Sequence, residues 1–514
     1  MVSVLLTKFN WVKIARFAHS QYFIIGLNFI VLAILYAGLN SFLFSKGFAS
    51  QILMFLGEKA LLSFQGNSFQ IENSIFVYPP LPYIFFLLLR NPFVSSAVVG
   101  GITVSILLYY LWKHLYIKKR SPRIFFISVV YLCASPLSIY IFSENVVSCL
   151  MFFFILLCLH LFYNFYKDQL IINLFLFGIL SAAIFFIHFE VSFIVSIWAL
   201  SLLITKKKTL KNNLIPVLVI TFFPLIFFVL GWLYINWLHT NDFFHFIHPW
   251  KVTICNPKFN SNLLYSNPYF PEYFYSRFKI FLNNFPFIIP STYLALLIIF
   301  VKKLRNFIFF QILIFPFILI CTDLIWGTLL TKSGNHIFLM FIFTSNYVFI
   351  QHPRFSLYPI VKKFYIFLLL LSFCFSLWVP LYTGSIEEKQ FIRCLYSFSD
   401  YKNFSDEKKL LEKIQDKGKI LLDDSILYPL VFLSDNPKRF VLPYESEFEL
   451  ALAKPELFVE YIIISSYGEK DNLLTHISSD YFSNIKNFYL IEQYQNLFLY
   501  KIYDSRLPSR RLKY

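Results

Sequence analysis

The sequence predicts an α-helical polytopic membrane protein with about 11 spans and a small α/β domain at its C-terminus. Of the 514 residues, 58% are hydrophobic and only 14% are charged, whereas soluble domains carry about 25% charged residues. Apolar stretches of about 20 residues, each long enough to cross the hydrocarbon core of a bilayer, recur from Gln21 to Gly384. Beyond Gly384 they stop and a soluble pattern begins.

The basic residues predict the orientation of the chain. Lys8, Lys13 and Arg16 precede the first apolar run, which lacks a signal-peptide cleavage site, so we expect a cytoplasmic N-terminus. The predicted inner segments hold 19 Lys and Arg, against 8 in the outer loops before the tail, as the positive-inside rule requires. The net charge of +17 therefore reflects membrane topology, and no nucleic-acid partner is expected.

We divide the chain into a membrane domain, residues 1–384, with outer loops 45–93 and 238–284, and an extracytoplasmic α/β domain, residues 385–514. The run 84–89 is too short to cross and predicts an interfacial or re-entrant helix. The predicted spans are 21–44, 94–111, 124–140, 146–165, 170–187, 191–205, 214–237, 285–301, 307–322, 337–350 and 365–381.

A proline-rich elbow, Phe76 to Tyr83, leads from the first outer loop into these apolar runs. Consecutive prolines fix φ and keep the preceding residue extended, and irregular backbone at a membrane usually lines a site or cavity. The alternative is a loop that merely starts a helix. We assign Tyr78, Pro79 and Pro80 to a substrate site.

The carboxylates point to the same face. Seven of the eight acids before Thr383 fall on the predicted outer side, namely Glu58, Glu72, Glu144, Glu190, Asp242, Glu272 and Asp323. Ionisable groups near membrane depth are costly and often functional. The alternative is that acids are simply excluded from the basic inner loops. We favour a site, because Glu144 and Glu190 adjoin apolar runs.

The tail shows the order of a small α/β domain. The segments 419–424, 439–443 and 459–466 predict buried strands separated by helices, an order typical of a mainly parallel sheet. The segments 488–493 and 497–503 predict a closing hairpin. No glycine-rich phosphate loop is present, so we expect no nucleotide site.

This layout resembles the GT-C class of membrane glycosyltransferases, in particular the bacterial relatives of dolichyl-phosphate-mannose protein mannosyltransferases and of aminoarabinose transferases. Short segments carry the resemblance: Tyr78-Pro79-Pro80-Leu81, Ala134-Ser135-Pro136-Leu137 through Glu144, Gly178-Ile179-Leu180 through Glu190, and Lys332-Ser333-Gly334-Asn335-His336. His188 and His336 stand where the family often has a basic residue. The tail is similar to the α/β domain appended in many members.

The resemblance implies transfer of a sugar from a polyprenyl-phosphate donor to a glycan, lipid or protein acceptor on the outer face of a bacterial inner membrane. A carboxylate must then take a proton from the attacking hydroxyl, and our candidates are Glu58 first and Glu72 second. The expected substrate-binding residues are Tyr78, Pro79, Pro80, Glu144, His188, Glu190, Lys251, Lys332 and His336. No metal ligands are predicted, and the cofactor is left unassigned, with a divalent cation as one option.

One departure keeps other functions open. The family's catalytic acid usually follows the first span, but the segment 46–51 has no carboxylate. Glu58 and Lys59 could also form only a solvated surface pair. The alternatives are therefore a non-catalytic protein that binds glycolipid, and a transporter or flippase of lipid-linked sugars. A transporter would typically show repeated halves or mid-span charges, and neither is found.

Overall fold

The structure is a computed structural model. It describes residues 21–65, 79–117, 121–205, 214–244, 281–301, 306–326, 335–352, 354–383, 385–396, 405–414, 418–443, 445, 447–465, 488–494 and 497–502.

The membrane part of the described chain is built from α-helices, most of them strongly apolar. They are α1 (Gln21–Ser45), α2 (Gln51–Gln65), α3 (Pro80–Leu89), α4 (Pro92–Leu111), α5 (Pro122–Ala134), α6 (Pro136–Ser143), α7 (Val146–Asp168), α8 (Ile171–Phe185), α9 (Phe189–Thr205), α10 (Leu214–Thr240), α11 (Phe285–Phe300), α12 (Phe307–Trp326), α13 (Leu339–Gln351) and α14 (Pro359–Thr383). A π-helical turn follows α4, and a 3₁₀ turn, Asn335–Phe338, precedes α13.

Helix length sets how many of these elements could cross a bilayer unaided. Within the described residues, α1, α4, α7, α10 and α14 are long and apolar enough, which makes five candidates, or six if the bent pair α5 and α6 counts as one span. Helices α8, α9, α11 and α12 contribute shorter apolar segments. The protein is therefore a membrane protein with several spanning helices, whereas the predicted count of about 11 is not confirmed.

The predicted span 124–140 is not one continuous helix, because the structure breaks it into α5 and α6. The two helices meet at 61°, and Ser135 between them is extended, with φ −70° and ψ 126°. The cause is Pro136, which disfavours a helical conformation in the residue before it. The same proline then begins α6 at its first position, where no backbone N–H is needed.

The proline elbow begins helix α3, because proline is favoured at the first position of a helix. Pro79 is extended, with φ −84° and ψ 126°, and Pro80 is the first residue of α3. Arg90 ends α3 in the left-handed conformation, and the Asn91 side chain caps α4 by accepting hydrogen bonds from the amides of Phe93 and Val94. The chain thus breaks between α3 and α4, and α3 is a short apolar helix.

The C-terminal part is a small α/β fold. Its helices are α15 (Ile386–Tyr396), α16 (Ser405–Lys413), α17 (Asp424–Leu433), α18 (Phe448–Ala453) and α19 (Pro455–Phe458), and its strands are β1 (Ile420–Leu421), β2 (Phe440–Val441), β3 (Tyr461–Ser465), β4 (Phe488–Tyr494) and β5 (Leu497–Ile502). The sheet order is β2-β1-β3-β5-β4. The expected hairpin is present as antiparallel β4 and β5.

The prediction of a mainly parallel sheet is only half right. Strand β1 pairs in parallel with both β2 and β3, but β5 pairs antiparallel with β3. Strand β5 lies between β3 and β4 and pairs antiparallel with both of them, so the hairpin brings its second strand, not its first, against β3.

The two parts share hydrophobic cores. Leu62 of α2 packs in the same buried cluster as Leu410, Leu430 and Phe440 of the C-terminal part. On the other side, Phe391 and Ile392 of α15 pack with Leu43 and Tyr140 of the membrane helices. Helices α2 and α15 therefore join the two parts, and the α/β fold lies directly on the membrane helices.

Candidate functional site

Glu58, the first predicted catalytic residue, lies in a buried cluster with Lys59 and Asp424, which we call the Lys59 cluster. Glu58 is 0% exposed. Lys59 Nζ lies 3.3 Å from Glu58 Oε2 and makes a closer salt bridge to Asp424 Oδ2. Asp424 is the first residue of α17, so the C-terminal domain supplies one of the three charges.

The charges in the Lys59 cluster do not balance if both carboxylates are ionised. Burial raises the pKa of Glu58 well above the ordinary value, Lys59 opposes the shift, and Asp424 adds to it. Burial alone would lower the pKa of Lys59, but Asp424 and Glu58 outweigh it and raise that pKa. One cation between two buried acids thus favours a neutral Glu58 beside a Lys59–Asp424 ion pair.

Helix α17 covers this cluster. Phe55 and Tyr428 meet edge to face with ring centroids 5.8 Å apart, and a Cβ on Gly57 would lie 2.7 Å from the Phe432 ring. Glycine at this position therefore permits the close approach of α2 and α17. Neither oxygen of Glu58 has a hydrogen bond of good geometry among the described residues.

The proline elbow is connected to the same helix. Tyr83 of α3 is buried, and its hydroxyl lies 2.6 Å from Ser63 Oγ and donates to the Lys59 carbonyl at 3.4 Å. The Leu81 amide donates to the Phe186 carbonyl at 3.2 Å, which places the start of α3 beside the turn that carries His188. The elbow, Glu58 and the His188 turn thus belong to one region.

A second group of carboxylates lies at the N-terminus of α2. The Ser50 amide donates to Glu144 Oε2 at 2.9 Å, and the Gln51 amide donates to Glu387 Oε1 at 3.2 Å. Glu387 also accepts from the Tyr140 hydroxyl at 2.9 Å. Carboxylates at a helix N-terminus satisfy free amides and complement the helix dipole, so this arrangement fixes architecture.

Burial raises the pKa of both carboxyls of this group. It raises the pKa of Glu144 to about 8, against the opposing hydrogen bonds from Ser50, and it raises the pKa of Glu387 to about 7, against the opposing hydrogen bond from Tyr140. The group begins eight residues before Glu58, which corresponds to about 12 Å along the helix. The two sets of carboxylates are therefore neighbouring but separate.

His336 is held by Glu388 of α15. Glu388 accepts hydrogen bonds from the amide and the Nδ1 of His336 at 2.7 and 2.9 Å, and from the amides of Asn335 and Ser385. The Glu388 amide donates to Ser385 Oγ, so the two residues form a capping box. Nε2 of His336 lies 3.0 Å from Ser148 Oγ. A phosphate could reach His336 only by displacing one of these partners.

Several predicted site residues cannot be compared with the structure. Glu72, Tyr78, Lys251 and Lys332 lie outside the described residues. Pro79 and Pro80 are buried at the elbow, and Glu190 lies in the first turn of α9. The structure thus brings together the elbow, Glu58 and the His188 turn in one region, and Glu144 and His336 in another.

Three residues of these clusters were missed by the sequence reasoning. Asp424 follows Asp423 directly after strand β1, a position where carboxylates at a strand end often serve a site. Glu387 and Glu388 follow the last apolar run, and Ser385 with Glu388 matches the capping-box pattern. All three lie beyond Thr383, outside the set of carboxylates from which the site was predicted.

An apolar cavity of about 110 Å³ lies deeper among the helices, between α4, α5, α7 and α13. Its lining includes Ser128, His160, Phe343 and Tyr347. His160 lies 12 residues beyond Ser148 on α7, about 18 Å along the axis, so the cavity is distinct from the carboxylate clusters. Its lining suits a hydrocarbon chain.

Comparison of the chain with models of known protein families finds no match, and comparison with curated proteins finds none. Among the described residues, no group of three or more His, Cys, Asp and Glu side chains is placed to hold a metal ion.

Proposed function

We propose that the protein is an integral-membrane glycosyltransferase that moves a sugar from a polyprenyl-phosphate donor to an acceptor hydroxyl, with Glu58 as the general base. The observation that carries the proposal is the wholly buried Glu58 carboxyl beside a lysine already paired with another acid. Burial raises the pKa of this carboxyl and keeps it protonated while α17 covers it, and its ionised form can take the proton of an attacking hydroxyl.

The surrounding residues support roles in donor binding. The buried elbow at Pro79 and Pro80 adjoins the His188 turn, and we propose that His188 contacts the donor phosphate there. The apolar cavity supports accommodation of a lipid chain between the helices. Because α17 covers Glu58, an acceptor would reach the carboxylate only after α17 separates from α2.

We also propose the complete topology of eleven crossings, with the N-terminus in the cytoplasm and the C-terminal domain outside. In this scheme α8, α9, α11, α12 and α13 cross in addition to the long helices, and α5 with α6 forms one broken span. Broken and short spans are tolerated where neighbouring helices bury them. The 19 to 8 asymmetry of Lys and Arg supports the orientation.

Donor consumption by the full chain in lipid vesicles tests the enzymatic proposal. The probes are polyprenyl-phosphate mannose and polyprenyl-phosphate aminoarabinose, each with a free hydroxyl acceptor. We expect transfer by the wild type and a loss of at least about a hundredfold in Glu58→Gln with donor binding retained. Glu456→Gln, which alters an exposed carboxylate, is the control. Absence of transfer from both donors by the wild type contradicts the proposal.

The second candidate function is a non-catalytic glycolipid-binding protein. The specific observation in its favour is that Glu144, Glu387 and Glu388 all accept hydrogen bonds from backbone amides, as architectural carboxylates do. Donor binding without consumption by the wild type is the result that this alternative predicts.

A further inference from the structure

The Lys59 cluster spans the boundary between the membrane helices and the C-terminal domain. Glu58 and Lys59 are adjacent on α2, whereas Asp424 begins α17, 365 residues further along the chain. Both carboxylates are at least nine-tenths buried, and their common cation is Lys59. The C-terminal domain therefore contributes a charge to the surroundings of Glu58 only while α17 rests on α2.

Lys59 favours Asp424 over Glu58. Its ammonium makes the closer contact with Asp424, and it lies 3.3 Å from Glu58 without good hydrogen-bond geometry. It also lies 5.6 Å from the centre of the Phe55 ring. Lys59 is the strongest influence that lowers the pKa of Glu58 against the effect of burial, and Asp424 reduces the benefit by raising that pKa.

Few other charges act on this cluster. From α3 comes the neutral Tyr83, and from the 3₁₀ turn Pro437–Arg439 comes Arg439, which donates to the Ile414 carbonyl. The charges of Asp424, Lys419 and Glu447 all act on the nearby Glu445. Asp423 adjoins Asp424 in the chain. Among the described residues, Lys59 and Asp424 are the charged groups with the largest effects on the pKa of Glu58.

We infer that Asp424 is a positioning residue that controls the protonation state of Glu58 by holding Lys59. With α17 docked, Lys59 pairs with Asp424 and Glu58 keeps its proton. Without Asp424, the Lys59 ammonium would be left to Glu58 alone, and Glu58 would lose its proton at a lower pH. Any movement that separated α17 from α2 would have the same effect, because Asp424 belongs to α17.

The consequence for turnover rests on the proposed function, whereas the protonation of Glu58 does not. If Glu58 is the base, the docked domain holds the site covered and inactive. If Glu58 has no catalytic role, the same three residues still link domain docking to one proton.

Infrared titration of the full chain in lipid vesicles tests the inference without substrate. The C=O stretch of the protonated Glu58 carboxyl is identified by its loss in Glu58→Gln, and its titration midpoint is followed with pH. We expect Asp424→Asn to lower this midpoint by about one pH unit or more, because Lys59 then pairs with Glu58. Lys59→Gln should raise it, and Asp424→Glu should keep it near the wild-type value.

Asp435→Asn, which removes an exposed carboxylate of the same domain, is the matched control and should leave the midpoint unchanged. Thermal melting shows which variants retain the fold, and the midpoint is compared among those. The inference is overturned if folded Asp424→Asn keeps the wild-type midpoint, or if folded Lys59→Gln lowers it. Full transfer activity in Glu58→Gln would instead overturn the proposed function and leave the infrared shifts in place.

Discussion

Leu62 of the membrane part and Leu430 of the C-terminal domain lie in one buried hydrophobic cluster. Leu62 is 4% exposed, so it completes the core of a domain that begins more than 300 residues later. Together with the Lys59 cluster, this contact makes the attachment of the two parts both apolar and electrostatic.

Leu62→Ala should destabilise the C-terminal domain by about 2–5 kcal/mol, since it removes a buried side chain and leaves a cavity. Hydrogen exchange of the β1 and β3 amides in the full chain measures the effect. Leu450→Ala truncates a leucine that is 56% exposed on α18. It should change the free energy of opening that hydrogen exchange reports for these amides by less than about 0.5 kcal/mol. Equal effects of the two substitutions would show that Leu62 is not part of this core.

Gly100→Ala should prevent stable packing of α4 against α6. A Cβ at this position would overlap the backbone carbonyl of Phe142, and backbone cannot move aside as a flexible side chain can. We expect the free energy of unfolding to fall by about 3 kcal/mol or more, which would be measured as a lower melting temperature in detergent. Gly231→Ala is the matched control in α10, where a Cβ would meet nothing within 4 Å. A Gly100→Ala melt equal to that of Gly231→Ala would rule out the close approach.

Glu387→Gln should change how stability depends on pH. Burial raises the pKa of Glu387 from 4.5 to about 7, so the folded protein holds this proton more tightly than the unfolded chain. The stabilising contribution of Glu387 to the free energy of unfolding is fully present below about pH 4.5 and is lost as the pH rises through about 7. The variant keeps a neutral side chain, so its melting temperature should exceed that of the wild type at pH 8 and approach it at pH 5.

Glu456→Gln, which alters an exposed carboxylate, is the control for this pH series. Its melting temperature should equal that of the wild type at every pH. A difference in melting temperature between Glu387→Gln and the wild type that stays constant from pH 5 to pH 8 would show that Glu387 has no raised pKa.

Reporter fusions test the proposed orientation. A fusion after Leu381 should report the extracytoplasmic side, and a fusion near Lys207 should report the cytoplasm, as the distribution of basic residues requires. The same compartment at both positions would mean that the number of crossings between them is even, and the eleven-span topology would have to be abandoned.

The helices and the hairpin were predictable because their signals are local. The apolar runs of α1 and α7 and the prolines before α3 and α4 set their own boundaries. The break at Ser135 was also encoded locally, in Pro136, but an unbroken apolar run outweighed it in our prediction. Sheet direction was harder, because the pairing of β5 with β3 depends on how a hairpin folds back over the domain.

The candidate site was predictable only in part. Glu58 and the elbow were identified from residue type and position, whereas the partners of Glu58 and His336 were not. Asp424 meets Lys59 across 365 residues, and Glu388 meets His336 across 52. Contacts between distant segments depend on the packing of whole helices, and a single sequence has no local pattern that specifies them.

The pH dependence of sugar transfer tests whether Glu58 is the general base. If Glu58 is the general base, kcat/KM of the wild type should rise with pH to a midpoint well above that of an ordinary glutamate. This ratio reports the free enzyme, in which α17 is docked and burial and Asp424 raise the pKa of Glu58. Glu58→Gln should be at least about a hundredfold slower at the plateau and should lack this rise. A Glu58→Gln enzyme with the wild-type rate and the same rise with pH would show that Glu58 is not the general base.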